Sequence, residues 1–225
     1  MSYSERLSIS KVENRAKITP YWGEHAARYV YARPYVQGKK VLDIACGTGY
    51  GCRILGEIAA SIVGIDIDED SIKKAMEEYP EGTFIVSNAE FIPFDDQSFD
   101  VITSFETIEH LSNRDRFILE IHRVLRAEGI LILSTPNALY TKPVNGIPRN
   151  PFHVHEYTPE ELRQELEPFF KIEAMLGQTL SAKFIIPPFW EAQQRLPKDI
   201  FTQARFFSGN YSTKCQLRLE NQLVN

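Results

Sequence analysis

The sequence VLDIACGTGYG, residues 41–51, decides the fold class of this 225-residue chain. Its apolar first half is typical of a strand buried on both faces, and its glycine-rich second half is typical of a tight turn. Gly47 and Gly49 allow the backbone to approach a ligand that any side chain would block. The first N–H groups of a helix beginning near Tyr50 would face the same ligand. A strand, a glycine turn and a helix in this order predict a Rossmann-like α/β fold.

The alternation of strand and helix continues after this stretch. Between the apolar runs, spacings such as Ile72, Ala75, Met76 and Tyr79 place apolar side chains on one face of a helix. Such alternation predicts a doubly wound, mostly parallel sheet with helices on both faces and right-handed crossovers. The predicted strands are residues 41–45, 62–65, 83–86, 99–103 and 130–134.

Helix-capping residues and composition changes indicate the limits of the elements. Asp68 is a predicted N-cap, and Thr158 with Glu161 forms a predicted capping box. A first helix is expected from residue 21 to about residue 33. We therefore divide the chain into an N-terminal helical segment (1–35), a core (36–178) and a C-terminal extension (179–225). The extension is expected to complete the sheet or to cover the substrate site.

Composition and charge exclude several classes of protein. Hydrophobic residues make up 43% of the chain, which excludes a disordered protein. The 25 Lys and Arg against 30 Asp and Glu give a net charge of −5, which disfavours nucleic acid as a partner. The apolar runs are too short for a membrane span. Three cysteines without a disulfide pattern predict a reducing compartment, the cytoplasm, and no feature predicts an oligomeric state.

Two acidic residues narrow the choice of ligand at the glycine turn. Asp66 ends the second predicted strand, where a carboxylate can accept both hydroxyls of a ribose. Asp43 precedes the turn, where it would repel a pyrophosphate but could accept from a ligand ammonium group. The glycine pattern is G-x-G-x-G rather than the G-x-G-x-x-G of dinucleotide sites. S-adenosylmethionine therefore fits better, and NAD(P) stays open as the alternative.

Five segments in the expected order carry a resemblance to a known family. DIACGTG (43–49), VGIDI (63–67), SNAE (87–90), SFDVITS (98–104) and LRAEGIL (125–131) resemble motifs of the class I S-adenosylmethionine-dependent methyltransferases. The resemblance covers roughly residues 20 to 175. It implies a seven-stranded sheet whose last strand is antiparallel, although no segment of this sequence is identified as that strand.

The resemblance also implies which residues bind the cofactor. Apart from the resemblance, the position of Arg28 and His25 on the predicted first helix suggests that one of them binds the cofactor carboxylate, and a surface arginine is the open alternative. The Cys46 thiol is interpreted as a packing group inside the loop. The remaining positions lie at the methionine part (Asp43, Ala45, Cys46, Gly47 and Gly49), at the ribose and adenine (Asp66, Ile67, Asn88, Ala89 and Glu90) and beside the cofactor (Phe105).

The methyl acceptor needs a second set of residues. Glu106, Glu109 and His110 form E-x-x-E-H, which in a helix would place both carboxylates on one face. His153 and His155 would share a face in an extended segment. His110 and His153 are the candidate catalytic residues, since a histidine can act as general base. The same set resembles the magnesium-binding residues of small-RNA 2′-O-methyltransferases and ubiquinone-pathway O-methyltransferases, so a divalent metal stays open.

The leading hypothesis is methyl transfer to an oxygen of a small molecule or a sugar. The segment 150–162 resembles methyltransferases that accompany glycan assembly, which favours a sugar. Three alternatives remain: a metal-assisted RNA 2′-O-methyltransferase, an NAD(P)-dependent oxidoreductase and a non-catalytic module that binds the cofactor.

Overall fold

The computed structural model describes residues 20–179, 205–207 and 214–221, and side chains within residues 24–178 and at Leu219. Interpretations that concern residues 1–19 and 180–204 lie outside the described residues. The helices are α1 (Pro20–Val36), α2 (Tyr50–Gly56), α3 (Glu69–Glu78), α4 (Arg114–Val124), α5 (Ala138–Thr141) and α6 (Pro159–Leu166), with a 3-10 helix at Ile108–His110. The strands are β1 (Lys40–Ile44), β2 (Ser61–Asp66), β3 (Thr83–Val86), β4 (Phe99–Phe105), β5 (Leu125–Pro136), β6 (Phe170–Thr179), β7 (Arg205–Phe207) and β8 (Lys214–Asn221).

The described strands form one sheet of eight, one more than the seven that the resemblance implies, in the order β3-β2-β1-β4-β5-β8-β6-β7, with the short β7 added at the edge beside β6. The five strands from β3 to β5 pair in parallel, as predicted. Strand β8 is antiparallel to both β5 and β6. It is the antiparallel last strand that the sequence pattern did not locate. Because β1 lies between β2 and β4, the crossovers on its two sides run in opposite directions, which opens a crevice at the carboxyl ends of β1 and β4.

Alternate side chains of the central strands enter two separate cores. On one face, Val41, Val101 and Ile132 pack with α1 and α2. On the other face, Leu42 and Ile102 pack with α4 and α6. The strands are therefore apolar on both sides, as a sheet covered by two helical layers requires.

Local helix signals in the sequence are confirmed. The Asp68 carboxylate accepts a hydrogen bond from Ser71 N at 3.0 Å and begins α3. Thr158 and Glu161 form the predicted capping box at the start of α6. Strand β5 is longer than predicted and begins at Leu125, directly after α4. The division of the chain at residues 35 and 178 stays a prediction.

Candidate active site

The glycine turn lies at the crevice, but its two central glycines have different surroundings. A Cβ placed on Gly47 (φ +54°) would meet no protein atom within 4 Å. A Cβ placed on Gly49 (φ +79°) would lie 2.8 Å from the Phe84 ring and 3.0 Å from Ala75 Cβ. Gly47 therefore leaves open space for a ligand, whereas Gly49 allows α2 to pack on β3 and α3. The preceding Ala45 also has a positive φ of 58°, which is unusual for a residue with a side chain.

Asp43 lies beneath the turn and is fully buried. Its carboxylate accepts hydrogen bonds from Thr103 Oγ1 at 2.6 Å and from the Tyr29 hydroxyl at 3.1 Å, and the Cys52 thiol lies 3.5 Å away. Burial raises its pKa to about 6, although these hydrogen bonds act in the opposite direction. The protein itself therefore supplies the donors that Asp43 was expected to find in a ligand ammonium group. What the geometry supports is an indirect role, in which Asp43 fixes the strand end and adds negative potential.

Asp66 lies at the end of β2, opposite the turn. One carboxylate oxygen accepts from Gly47 N at 2.9 Å, and the other accepts from Asp68 N at 2.9 Å. A carboxylate has about four lone-pair sites, so Asp66 can still accept from ribose hydroxyls. The next side chain, Ile67, is 62% exposed and offers an apolar surface to a flat ring.

The predicted adenine end forms a short turn after β3. Asn88 Oδ1 accepts from Glu90 N at 2.9 Å, which fixes the turn, and Ala89 is partly buried. Glu90 is also partly buried, and its Oε1 lies 3.4 Å from Asn113 N. This turn and Ile67 follow the adjacent parallel strands β3 and β2, so they lie along one edge of the sheet.

Arg28 of α1 is fully buried beside the crevice. Its Nε donates to Gln178 Oε1 at 2.9 Å, and its Nη1 lies 3.1 Å from His25 Nδ1. Nη2 lies 3.7 Å from Glu106 Oε1 and makes no hydrogen bond within the described residues. A buried guanidinium nitrogen without a hydrogen bond is suited to a ligand carboxylate.

Two other predicted cofactor residues lie mainly in the interior. Phe105 is 8% exposed, and its ring packs edge-on against Tyr29 at 4.9 Å between centroids. Cys46 is buried, and its thiol lies near that of Cys52. Both sulfurs pack against Gly64, where an added Cβ would lie 2.8 Å from each of them. The cysteine is thus a packing residue, and only its backbone is placed to line the turn.

His110 and His153 are brought together at the carboxyl edge of the sheet. Their ring centroids lie 4.9 Å apart with nearly perpendicular planes. His110 Nδ1 lies 2.9 Å from the Phe152 carbonyl oxygen. A carbonyl only accepts, so His110 Nδ1 carries the proton. The Nε2 lone pair of a neutral His110 is then available to bind a proton or a metal.

Glu109, His110 and His153 each place one potential ligand atom within 4.8 Å of the others. Glu109 is fully buried, and its Oε2 accepts from Thr135 Oγ1 at 2.9 Å. A carboxylate and two imidazoles are suitable ligands for a divalent metal, and His110 already donates its other ring N–H to an oxygen, as metal-binding histidines do.

Two expectations for this region are wrong. Glu106 does not share a face with Glu109, because it has a positive φ of 55° and precedes the 3-10 helix. It accepts instead from Ser134 Oγ at 3.0 Å. His155 does not accompany His153, since its ring packs on Tyr157 at 4.5 Å between centroids. Neither segment has the regular backbone on which those expectations depended.

Several residues of the site gave no signal in the sequence. Tyr29 and Thr103 hold Asp43, Gln178 holds Arg28, and Asn150 and Glu156 contact His153. Thr103 and Asp43 are 60 positions apart in the chain, and Gln178 and Arg28 are 150 apart, so no local spacing reports these contacts. Asn150 and Glu156 are each three positions from His153, but the segment is irregular and no periodicity predicts its contacts.

Comparison with known proteins identifies the family. A family model described as "Methyltransferase domain" matches residues 42–133. A demethylmenaquinone methyltransferase of Thermotoga maritima is 32% identical over 167 residues, which cover 66% of this chain and 73% of that protein. The chain therefore belongs to the S-adenosylmethionine-dependent methyltransferases.

Other relatives share only part of their length with this chain. A "probable S-adenosylmethionine-dependent methyltransferase" of Mycolicibacterium smegmatis is 35% identical over 159 residues, covering 70% of this chain and 62% of that protein. A ubiquinone biosynthesis O-methyltransferase of Mesorhizobium japonicum is 34% identical over 110 residues, covering 47% of this chain and 44% of that protein. The chain thus spans about half of these two relatives.

The fold agrees with solved structures. The PH0226 protein of Pyrococcus horikoshii superimposes with a TM-score of 0.65 at 20% identity, covering 90% of this chain and 91% of that chain. This likeness concerns the fold alone. Among the described residues, no helix has both the length and the apolar character needed to cross a membrane.

Proposed function

We propose that this chain transfers the methyl group of S-adenosylmethionine to a hydroxyl oxygen of a small organic molecule. The observation that carries the oxygen acceptor is the His110–His153 pair at the edge where β1 and β4 end. A hydroxyl is a poor nucleophile until a base removes its proton, and an imidazole lone pair can do so. The name of the ubiquinone biosynthesis O-methyltransferase relative supports an oxygen acceptor.

Open space, charge and apolar surface in the crevice fit the cofactor. Its backbone would pass over Gly47, its ribose would bind to Asp66 and its adenine would pack on Ile67 beside the turn of residues 88–90. Its carboxylate would bind to Arg28 Nη2. The cofactor supplies a methyl group on a cationic sulfur, and the protein orients the acceptor and excludes water.

The acceptor site would lie under the segment between β5 and α6. This segment, which contains His153, exposes several large apolar side chains, namely Leu139, Tyr140, Val144, Ile147, Phe152 and Val154. Such a surface supports an acceptor with an apolar or aromatic part. A sugar hydroxyl, favoured by the sequence of residues 150–162, is the second class of acceptor to test.

A divalent metal at Glu109, His110 and His153 is a second candidate for the acceptor chemistry. Glu109 and Glu156 are buried carboxylates around two imidazoles, and buried negative charge requires compensation. A metal there would supply Lewis-acid activation of the acceptor oxygen. The test is elemental analysis and calorimetric titration with Mg²⁺ and Zn²⁺. Stoichiometric binding that Glu109→Gln abolishes supports the metal, and a silent titration favours an imidazole base.

The reaction itself is tested by incubating the chain with methyl-labelled S-adenosylmethionine and separate pools of phenols, quinols, sugars and RNA. We expect label in a phenol, quinol or sugar product, and markedly less label with Asp66→Ala at a cofactor concentration below saturation. Binding of S-adenosylhomocysteine without transfer to any pool would favour a non-catalytic module. Stabilisation by NADH alone would favour an oxidoreductase, and label in RNA would contradict a small acceptor.

We place this reaction in the cytoplasm. Cys46 and Cys52 are buried free thiols, which a reducing compartment preserves.

A further inference from the structure

Glu156 is a buried carboxylate to which the methyl-transfer proposal assigns no step. Its side chain is 2% exposed, and its Oε1 lies 2.6 Å from His153 Nδ1. Its Oε2 accepts from the Thr141 hydroxyl at the end of α5. Both oxygens are thus fixed, one by a residue of the candidate catalytic pair and one by a helix.

The neighbours of His153 determine which ring nitrogen carries its proton. Asn150 Oδ1 accepts from Phe152 N at 3.0 Å, and a backbone N–H can only donate, so the oxygen of the Asn150 amide faces that way. Asn150 Nδ2 therefore faces His153 Nε2, at 3.0 Å. An amide NH₂ only donates, so Nε2 must carry the lone pair. The proton is then on Nδ1 and is donated to Glu156.

Glu156 lies at a better-fixed place in the chain than the histidine it contacts. Asn137 and Tyr157 form a β-bridge, and Ala138 N donates to Tyr157 O at 2.8 Å. The ends of the segment that contains His153 are therefore tied together next to Glu156 and Thr141. His153 belongs to the irregular part of this segment, where no strand or helix sets its orientation.

We propose that Glu156 is a positioning residue that fixes the ring orientation and the Nδ1–H tautomer of His153. The assignment rests on the proposed function, in which His153 Nε2 must accept a proton or bind a metal. Asn150 Nδ2 donates to that lone pair in this structure, so a substrate hydroxyl or a metal reaches Nε2 only by displacing the Asn150 amide. Without Glu156, only the neutral hydrogen bond from Asn150 Nδ2 to Nε2 would favour protonated Nδ1, and it is weaker than the hydrogen bond from Nδ1 to a carboxylate. The Nε2–H form has no lone pair on Nε2 to offer.

The experiment reads the tautomer directly in the full chain. Long-range ¹H–¹⁵N correlation spectra of the histidine rings are recorded for the wild type, Glu156→Ala and Glu156→Gln, and His153→Gln identifies the His153 signals. We expect the Nδ1–H pattern in the wild type and a shift of the population towards the Nε2–H pattern in Glu156→Ala, where only Asn150 still favours Nδ1–H. Glu156→Gln should retain the pattern, because its amide oxygen still accepts from Nδ1. Glu160→Ala, which removes an exposed carboxylate of α6, is the matched control and should change nothing.

Cofactor binding and transfer separate this inference from the proposed function. The affinity for S-adenosylhomocysteine should stay within about twofold in Glu156→Gln and Glu156→Ala, while transfer to whichever pool the wild type methylates should fall about 10- to 100-fold in Glu156→Ala. An Nε2–H pattern in the wild type, or an unchanged pattern in Glu156→Ala, would overturn the positioning role. A wild type that shows the Nδ1–H pattern but binds no S-adenosylhomocysteine would refute the proposed function instead. If Glu156→Ala does not fold, Glu156→Met, which fills similar space without an acceptor, takes its place, and an unchanged Nδ1–H pattern in that variant would overturn the role in the same way.

Discussion

Replacing Gly47 and Gly49 separately by alanine should give two different defects from one motif. Both residues have positive φ, so each alanine adopts a left-handed backbone that costs about 1–2 kcal/mol. At Gly47 the added methyl meets no protein atom within 4 Å and enters the space assigned to the cofactor. At Gly49 it lies 2.8 Å from the Phe84 ring, which adds about 1–3 kcal/mol of overpacking.

The free energy of unfolding should therefore fall by about 1–2 kcal/mol in Gly47→Ala and by about 2–5 kcal/mol in Gly49→Ala. For the cofactor the order is reversed. If the Gly47 methyl overlaps the ligand as strongly as an overpacked core group, the dissociation constant for S-adenosylhomocysteine rises about 5- to 150-fold.

Gly38→Ala provides the matched control. Gly38 has a φ of +68° with open space around it, and it lies at the opposite end of β1 from the glycine turn. It should lose as much stability as Gly47→Ala and keep wild-type affinity. Urea unfolding and isothermal titration calorimetry measure the two quantities. If Gly47→Ala binds S-adenosylhomocysteine as tightly as Gly38→Ala does, the ligand does not lie over Gly47.

Three further changes have defined outcomes. Asp66→Ala should weaken S-adenosylhomocysteine binding about tenfold or more by calorimetry, since it removes the ribose acceptor; unchanged affinity contradicts that assignment. The raised pKa of Asp43, about 6, means that the folded state binds its proton more tightly than the unfolded chain does, so its contribution to stability is greatest at low pH and is lost as the pH rises to 6. In the wild type this makes the free energy of unfolding fall by up to about 1.4 kcal/mol per pH unit between pH 4 and 6, and Asp43→Asn should remove that slope in urea unfolding. If the slope is unaltered in Asp43→Asn, the pH dependence comes from other groups. Arg123→Ala should lower the free energy of unfolding by about 2 kcal/mol, because the buried Glu120 carboxylate loses an ion-pair partner at 2.8 Å. The control is Arg163→Ala, which breaks the exposed ion pair with Glu167. An equal loss in the two variants would show that the burial of Glu120 adds nothing.

The sequence predicted the parts of the site that depend on neighbours along the chain. The passage from β1 through Gly47 to α2, and the Asp68 cap of α3, are each encoded within a few residues. Asp66 was predicted for a similar reason, because the carboxyl ends of adjacent parallel strands lie at one edge of the sheet. Its hydrogen bond from Gly47 N agrees with that placement.

Predictions failed where they assumed a regular backbone. Glu106 and Glu109 would share a face in a helix, but the chain turns with positive φ at Glu106. His153 and His155 would share a face in a strand, but they lie in an irregular segment and contact different partners. Side-chain periodicity holds only while backbone dihedrals repeat, so it carries no information in such segments.

The sequence by itself determined the class of fold and the position of the cofactor turn, because apolar periodicity, capping residues and glycine positions act over short stretches of chain. Only the tertiary structure decided the partners of the buried charges: Thr103 and Tyr29 for Asp43, and Gln178 for Arg28. These contacts depend on which strands and loops become neighbours. That arrangement is settled by packing the whole sheet against its helices, and no short stretch of sequence contains it.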